Sequence, residues 1–252
     1  MAKKFYYDSV GITEATITAG TYNSSTNVFS VDASAITNEH YINDESLSGA
    51  VTAFNDEDMI RIDLGSAKTA SYVVLYNGSS KDFDDLFVYH SSSATASLTL
   101  KLELNTTFAG WNANALTSAG NFRYWFLRSE DADYSGLSEV ILGVPLEFEN
   151  EPDMGISTQE IFATDINTSM GGVEYANKRH EPKTTFQLNF SNISQTFKNN
   201  LVSFEQVVTN FKKFVYYDDS NYHYVRLDAP IKFTEVAFQR FSASLKLREQ
   251  LS

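Results

Sequence analysis

The chain has no cysteine. Disulfides, thiolate metal sites and cysteine nucleophiles are excluded with it. Cations are scarce as well. Lys and Arg total 19 against 32 Asp and Glu, a formal charge of −13. Phosphate affinity needs clustered cations, so specific nucleic-acid binding is not expected. An acidic wall could still line a passage through which nucleic acid slides without sticking. No apolar run is long enough for a membrane span, and Met1-Ala2-Lys3-Lys4-Phe5 has none that would serve as a signal peptide. The expectation is a protein made in a cytoplasm, with no membrane insertion.

Catalytic spacing is missing too. There is no Gly-x-Ser-x-Gly elbow and no P-loop, and Gly171-Gly172 is an isolated turn. His40, His90, His180 and His223 lie far apart, which favours surface or structural roles over metal ligation. Acidic clusters occur at Asp56-Glu57-Asp58, at Asp82, Asp84 and Asp85, and at Glu130, Asp131 and Asp133. Any of them offers carboxylates to Ca²⁺, but none has the Asp-x-Asp-x-Asp-Gly loop, so solvated turns are the default. Lys178-Arg179-His180 is a small basic spot suited to a salt bridge or an interface contact. The expectation is no catalytic residue, no cofactor and no metal.

Aromatic residues, by contrast, are plentiful, at 14% with 19 Phe and 14 Tyr. Such residues favour strands and, where exposed, protein contacts. In the first half, residues 32 to 58 read as long polar loops. Met59 to Leu64 alternates, with Ile60, Ile62 and Leu64 on one face and a stop at Gly65. Ser71 to Tyr76 follows, ended by Asn77-Gly78. Leu86 to Tyr89, Phe122 to Leu127 and Ser138 to Leu142 are further strands. Ser97 to Leu104 is another, with Leu98, Leu100, Leu102 and Leu104 facing inward. Many short strands without βα alternation mean a sandwich or jelly roll.

Four pieces together, Ile60-Arg61-Ile62-Asp63-Leu64-Gly65, Val73 to Asn77, Phe122 to Arg128 and Leu137 to Gly143, resemble the discoidin, or galactose-binding-like, jelly roll. The resemblance covers roughly residues 15–148 by pattern matching. It implies a β-sandwich over residues 1–150, with host glycan as a possible partner. A short acidic linker, Gly143 to Gly155, holds two of the four prolines and places a boundary near residue 150.

The second half has one helical stripe. Phe197, Leu201, Phe204, Val208 and Phe211 recur at i, i+4, i+7, i+11 and i+14. Ser194 is the N-cap, and Lys212 and Lys213 suit the C-terminal end, giving a helix over 194–211. Strands are expected at Thr184 to Phe190, Phe214 to Tyr217, Tyr222 to Leu227 and Phe241 to Leu247. The aromatic ladder Tyr216, Tyr217, Tyr222 and Tyr224 could stack bases or sugars, but reads first as a packed hairpin.

With Gly172 to Arg179 as its opening and Phe241 to Glu249 as its closing strand, this order of parts resembles the tube-forming domain of long-tailed bacteriophage tail proteins. The match covers roughly residues 155–250. The resemblance implies a ring built from copies of one chain beside other tail proteins. The expected fold is thus all-β with one prominent helix: an N-terminal β-sandwich jelly roll (1–150) and a C-terminal tube-type β-domain packing the helix (151–252). The expected function is a virion structural protein of the distal tail or baseplate, around the DNA passage, with the jelly roll as outward decoration. The alternative is a monomeric carbohydrate-binding module protein. A weaker third idea is a glycan-cleaving enzyme, for which the sequence singles out no carboxylate pair.

Overall fold

A computed structural model describes residues 3–51, 55, 57–78, 86–104, 109–129, 136–153 and 157–250. Among them the chain is built from fifteen strands and one α-helix. They run in the order β1 (Lys4–Tyr6), β2 (Thr16–Asn23), β3 (Val28–Val31), β4 (Asp58–Asn77), β5 (Leu86–Ser91), β6 (Thr99–Leu104), β7 (Gly110–Ser129), β8 (Leu137–Gly143), β9 (Leu146–Glu147), β10 (Ser157–Thr168), β11 (Glu174–Ser194), α1 (Gln195–Val208), β12 (Phe214–Tyr217), β13 (Tyr222–Leu227), β14 (Lys232–Ala237) and β15 (Arg240–Glu249). The fold is all-β with a single α-helix. The chain divides into two compact units, Tyr6–Pro145 and a second that joins Met1–Phe5 to Leu146–Leu251.

In the Tyr6–Pro145 unit the sheet order is β3-β2-β4-β7-β5-β6, with β8 also on β4. The organising pair is β4 with β7. Met59–Asp63 pairs with Tyr124–Arg128, and after a break Tyr72–Asn77 pairs with Gly110–Ala115. Gly65 was expected to end the first strand. Instead β4 runs on through it, because Gly65 at φ +72° takes a kink that a residue with a Cβ resists. β7 likewise is longer than expected and begins at Gly110, twelve residues before Phe122. The core of this unit contains Ile60, Ile62, Val73, Leu75, Val88, Trp125, Leu127, Val140 and Leu142.

Two leucines of the Ser97 to Leu104 stretch, Leu98 and Leu100, depart from expectation. Val88 opposes Leu102, but Tyr89 opposes Leu100, a slip in register. One extra residue moves side chains to the other face of a sheet. Leu104 therefore joins the main core, Leu100 is exposed, and Leu98 joins a separate aromatic cluster with Tyr22, Phe29, Met59, Phe87, Tyr89 and Phe126. Residues 39–43, expected as loop, make a 3-10 turn that buries Ile42.

In the other unit the order is β10-β11-β15-β13-β12-β1-β9, with β14 on β15. The helix starts where Ser194 Oγ accepts the Phe197 amide at 3.1 Å, and it buries Phe197, Leu201, Phe204 and Val208. It ends at Val208, so Phe211 falls outside it and is exposed. Phe5, from the start of the chain, sits against the rings of Phe148, Phe204, Phe214 and Tyr216 at centroid distances of 4.8 to 5.6 Å. Burying one such ring contributes about 1.5–3 kcal/mol, and edge-on pairs add to it. β10 and β14 were not expected. Both are polar strands without alternation, and long-range pairing with β11 and β15 defines them.

Candidate functional site

Two places stand out, one in each unit. In Tyr6–Pro145 it is built on the ends of β4, β7 and β8. Tyr76 lies opposite Trp111 on one side and Glu139 on the other. Directly opposed residues share a sheet face, so the three side chains form a row. The Tyr76 and Trp111 rings are 4.9 Å apart at 53° and half-buried, while Glu139 is buried. The next residues along are Asn77 and Gly110, in the same β4–β7 register, and Leu137, which pairs with Asn77 after a one-residue shift of β8. Leu86, Leu104 and Ser129 form a second aligned level. Three connections, after β4, β6 and β7, each join one level to the other. Two sequence-weighed acidic clusters, Asp82, Asp84, Asp85 and Glu130, Asp131, Asp133, fall on these connections, outside the described residues.

An ion pair ties together two pieces of the jelly-roll pattern. Asp63 Oδ1 and Oδ2 accept from Arg123 Nε at 2.6 Å and Nη2 at 2.9 Å. That fork-to-carboxylate contact holds the Asp63 carboxyl below the usual range, against the opposing effect of burial. The closing strand ends at Gly143, where a Cβ would stand 2.2 Å from Ser9 Oγ. Ser9 Oγ accepts the Val144 amide there.

In the other unit the place is a ribbon. β10 pairs with β11 along its length, from Ser157↔Gln187 to Thr168↔Glu174. β15 pairs with β11 only from Thr185 to Ser194. Residues 174–183 of β11 therefore extend past β15, and β10 is the edge of the sheet. The turn is closed by Ser169, whose amide donates to Val173 O and whose Oγ accepts the Val173 amide. Ile166, Met170, Val173 and Tyr175 are all more than half exposed. Pro182, which has no amide to donate, lies beside the irregular register near Ala163. The β14–β15 hairpin is a further exposed stretch, off the main path of the sheet, with Val236 57% and Phe238 86% exposed. A two-stranded ribbon is marginal alone in water, and open edges invite another strand.

The remaining sequence candidates disperse. His90 is buried in the jelly-roll core beside Phe122 and Trp125, and neither ring nitrogen has a hydrogen-bond partner. Burial, helped by the charge of Lys101, lowers its pKa to about 4. His40 is exposed and packs on Tyr41. His180 is a β11 residue opposite Ala163. His223 Nε2 is 3.0 Å from Asp218 Oδ2. Burial pushes the Asp218 carboxyl upward, but hydrogen bonds from the Asn221 amide, His223 and the Ser220 amide outweigh it and leave it lowered. Asp58 binds the Asn55 amide and side chain. Lys178 pairs with Glu181 within the ribbon. The tyrosine ladder splits: Tyr216 enters the core, and Tyr217 packs on Tyr222 with the rings 4.8 Å apart and tilted by 35°. Among the described residues no group of three or more His, Cys, Asp or Glu side chains could hold a metal, and no helix is long and apolar enough to cross a membrane. The Tyr76, Trp111 and Glu139 row was not anticipated. Its members are joined only by strand pairing.

No family model matches the chain, and no curated protein matches it. Among solved structures the chain is similar to carbohydrate-binding modules. One is the chitosan-binding module 1 of a chitosanase/glucanase from Paenibacillus sp. IK-5, at 17% identity and TM-score 0.39, covering 52% of this chain and 95% of that one. Another is the family 32 module from C. perfringens NanJ in complex with galactose, at 12% identity and TM-score 0.39, covering 56% and 98%. A fucose-binding module of Streptococcus pneumoniae follows at 12% identity and TM-score 0.38, covering 51% and 89%.

Proposed function

We propose that this chain is a non-catalytic glycan-binding protein whose Tyr6–Pro145 unit carries the sugar site. The observation that carries the reading is the half-buried pair of Tyr76 and Trp111 at the ends of β4 and β7. An aromatic pair offers a face to the C–H side of a sugar ring. The test is a titration of the full chain against a glycan panel. Binding to at least one neutral glycan is expected, with a loss of tenfold or more in Trp111→Ala. If no glycan binds the unsubstituted chain, the reading fails.

A second reading concerns the other unit and rests on the open ribbon. Copies of the chain join through the edges of β10 and β14, which are different surfaces and so associate head to tail. A ring results if the rotation closes. This is the tail-ring role expected from the sequence, in a phage virion beside other tail proteins. Light scattering over a concentration series, followed by negative-stain imaging, decides it. Rings support the reading, and a monomer at the highest concentration counts against it.

A further inference from the structure

Cations gather on one face of the C-terminal sheet. On β15, Ser242, Ser244, Lys246 and Arg248 alternate with buried Phe241, Ala243, Leu245 and Leu247. Arg226 of β13 lies opposite Arg248, and Lys232 of β14 lies opposite Ser244. The face therefore holds Arg226, Lys232, Lys246 and Arg248. Like charges directly opposed across a sheet repel. Asp228 relieves part of this: its carboxylate lies 2.9 Å from Arg248, 3.3 Å from Lys246 and 4.0 Å from Arg226. One carboxylate cannot balance four cations, and Lys232 has no ion pair with any described residue. Arg248 Nε is buried without a hydrogen-bond partner. In a chain of net charge −13 this is a local reversal of sign.

A cavity of about 110 Å³ opens in the same face, lined by Gln187, Ala229, Pro230, Lys232, Ser244 and Lys246. Two ammonium-bearing side chains share its lining with Ala229 and Pro230. The Gln187 amide spends its donors on Ser244 and Asn189, so it orders the wall. The volume is well below the roughly 300 Å³ at which pockets for drug-sized ligands begin. A long polyanion would extend past the patch and feel the net charge of −13 of the chain within a screening length of about 10 Å. A single compact group meets Lys232 and Lys246, with the Asp228 carboxylate beside Lys246 as the nearby anion of this face.

We propose that this cavity binds one phosphate-class oxyanion between Lys232 and Lys246, either free or as the terminal group of a small phosphate monoester. Two lysines and an ordered polar wall are the recognition elements, as point charges rather than as a planar fork. The proposal is independent of the glycan and ring readings. The test is a titration of the full chain with inorganic phosphate at ionic strength held constant with sodium chloride, followed by the phosphorus NMR linewidth. Parallel arms use glucose 6-phosphate and a 20-residue DNA oligonucleotide. Saturable phosphate or ester binding is expected, weakened at least fivefold by Lys232→Met and by Lys246→Met. The tighter of the two small probes names the source. Lys232→Met disturbs no ion pair, so it remains a fair test if Lys246→Met fails to fold. Absence of saturation, unchanged affinity in Lys232→Met, or tenfold tighter binding of the oligonucleotide would each overturn the proposal.

Discussion

The two long strand pairs of this protein make opposite use of similar lengths of chain. β4 and β7 are each 20 residues, and β11 is 21. β4 carries Ile60, Ile62, Leu64, Val73 and Leu75 into one core, and β7 adds Trp125 and Leu127. The far part of the β10–β11 ribbon has Thr168, Glu174 and Asn177 where a core would need apolar residues, and its apolar side chains Ile166, Val173 and Tyr175 are exposed. The first pair satisfies its backbone and its hydrophobic faces within one chain. The second satisfies the backbone of one edge only. A two-stranded pair is marginal alone in water, and the contrast separates a pair buried on its apolar face from one whose far part is exposed.

The largest way to break the contrast is inside the first pair. Trp125 is 1% exposed. Trp125→Ala should destabilise its unit by about 3–5 kcal/mol, read as a shift in the denaturant midpoint. A smaller effect is expected from acid. His90 is buried neutral, and its folded pKa of about 4 lies below the ordinary 6.5. Between those values the unfolded state binds more protons, so stability is fully present above pH 6.5 and is lost as pH falls toward 4. His90→Leu should flatten the melting temperature over that window, and an unchanged slope would show that other groups carry it. Removing the helix cap is milder still. Ser194→Ala should cost the C-terminal unit about 1 kcal/mol, measured by thermal melting. The smallest change in fold stability, within about 0.5 kcal/mol, should follow joint replacement of Ile166, Val173 and Tyr175 by Thr. The same variant should lower the mass seen by light scattering. If it melts early as a monomer, the ribbon is part of the fold and not a surface awaiting a partner.

The legible parts of the fold in the sequence are those encoded locally. Ile60, Ile62 and Leu64 announce a strand at period two, and Phe197, Leu201, Phe204 and Val208 announce a helix, because each pattern is complete within a short window. Gly65 misled, since a kink within a strand and a stop after one have the same local signature. The Leu98 to Leu104 alternation misled for a different reason: a register slip opposite Val88 and Tyr89 changes which face is inward. β10 and β14 were illegible because polar strands owe their existence to partners far along the chain. The same holds for the row of Tyr76, Trp111 and Glu139, and for Lys232 beside Lys246, where strand pairing makes neighbours of residues that spacing does not connect.

The pairing of Lys4 with Glu147 and Phe5 with Leu146 has a consequence for how the chain is made and exchanged. The two strands pair as in a hairpin, yet in sequence residues Tyr6–Pro145 come between them. Closing so long a loop costs little more than closing a moderate one, because the entropy grows only with the logarithm of length. The inserted unit can therefore fold first during synthesis, while Phe5 waits for Phe204 and Phe214 to emerge. It also follows that the insert behaves as a cassette. A short bridge from Phe5 to Leu146 should leave the remaining unit foldable, whereas truncation of everything before Leu146 removes an aromatic ring from the middle of its interior.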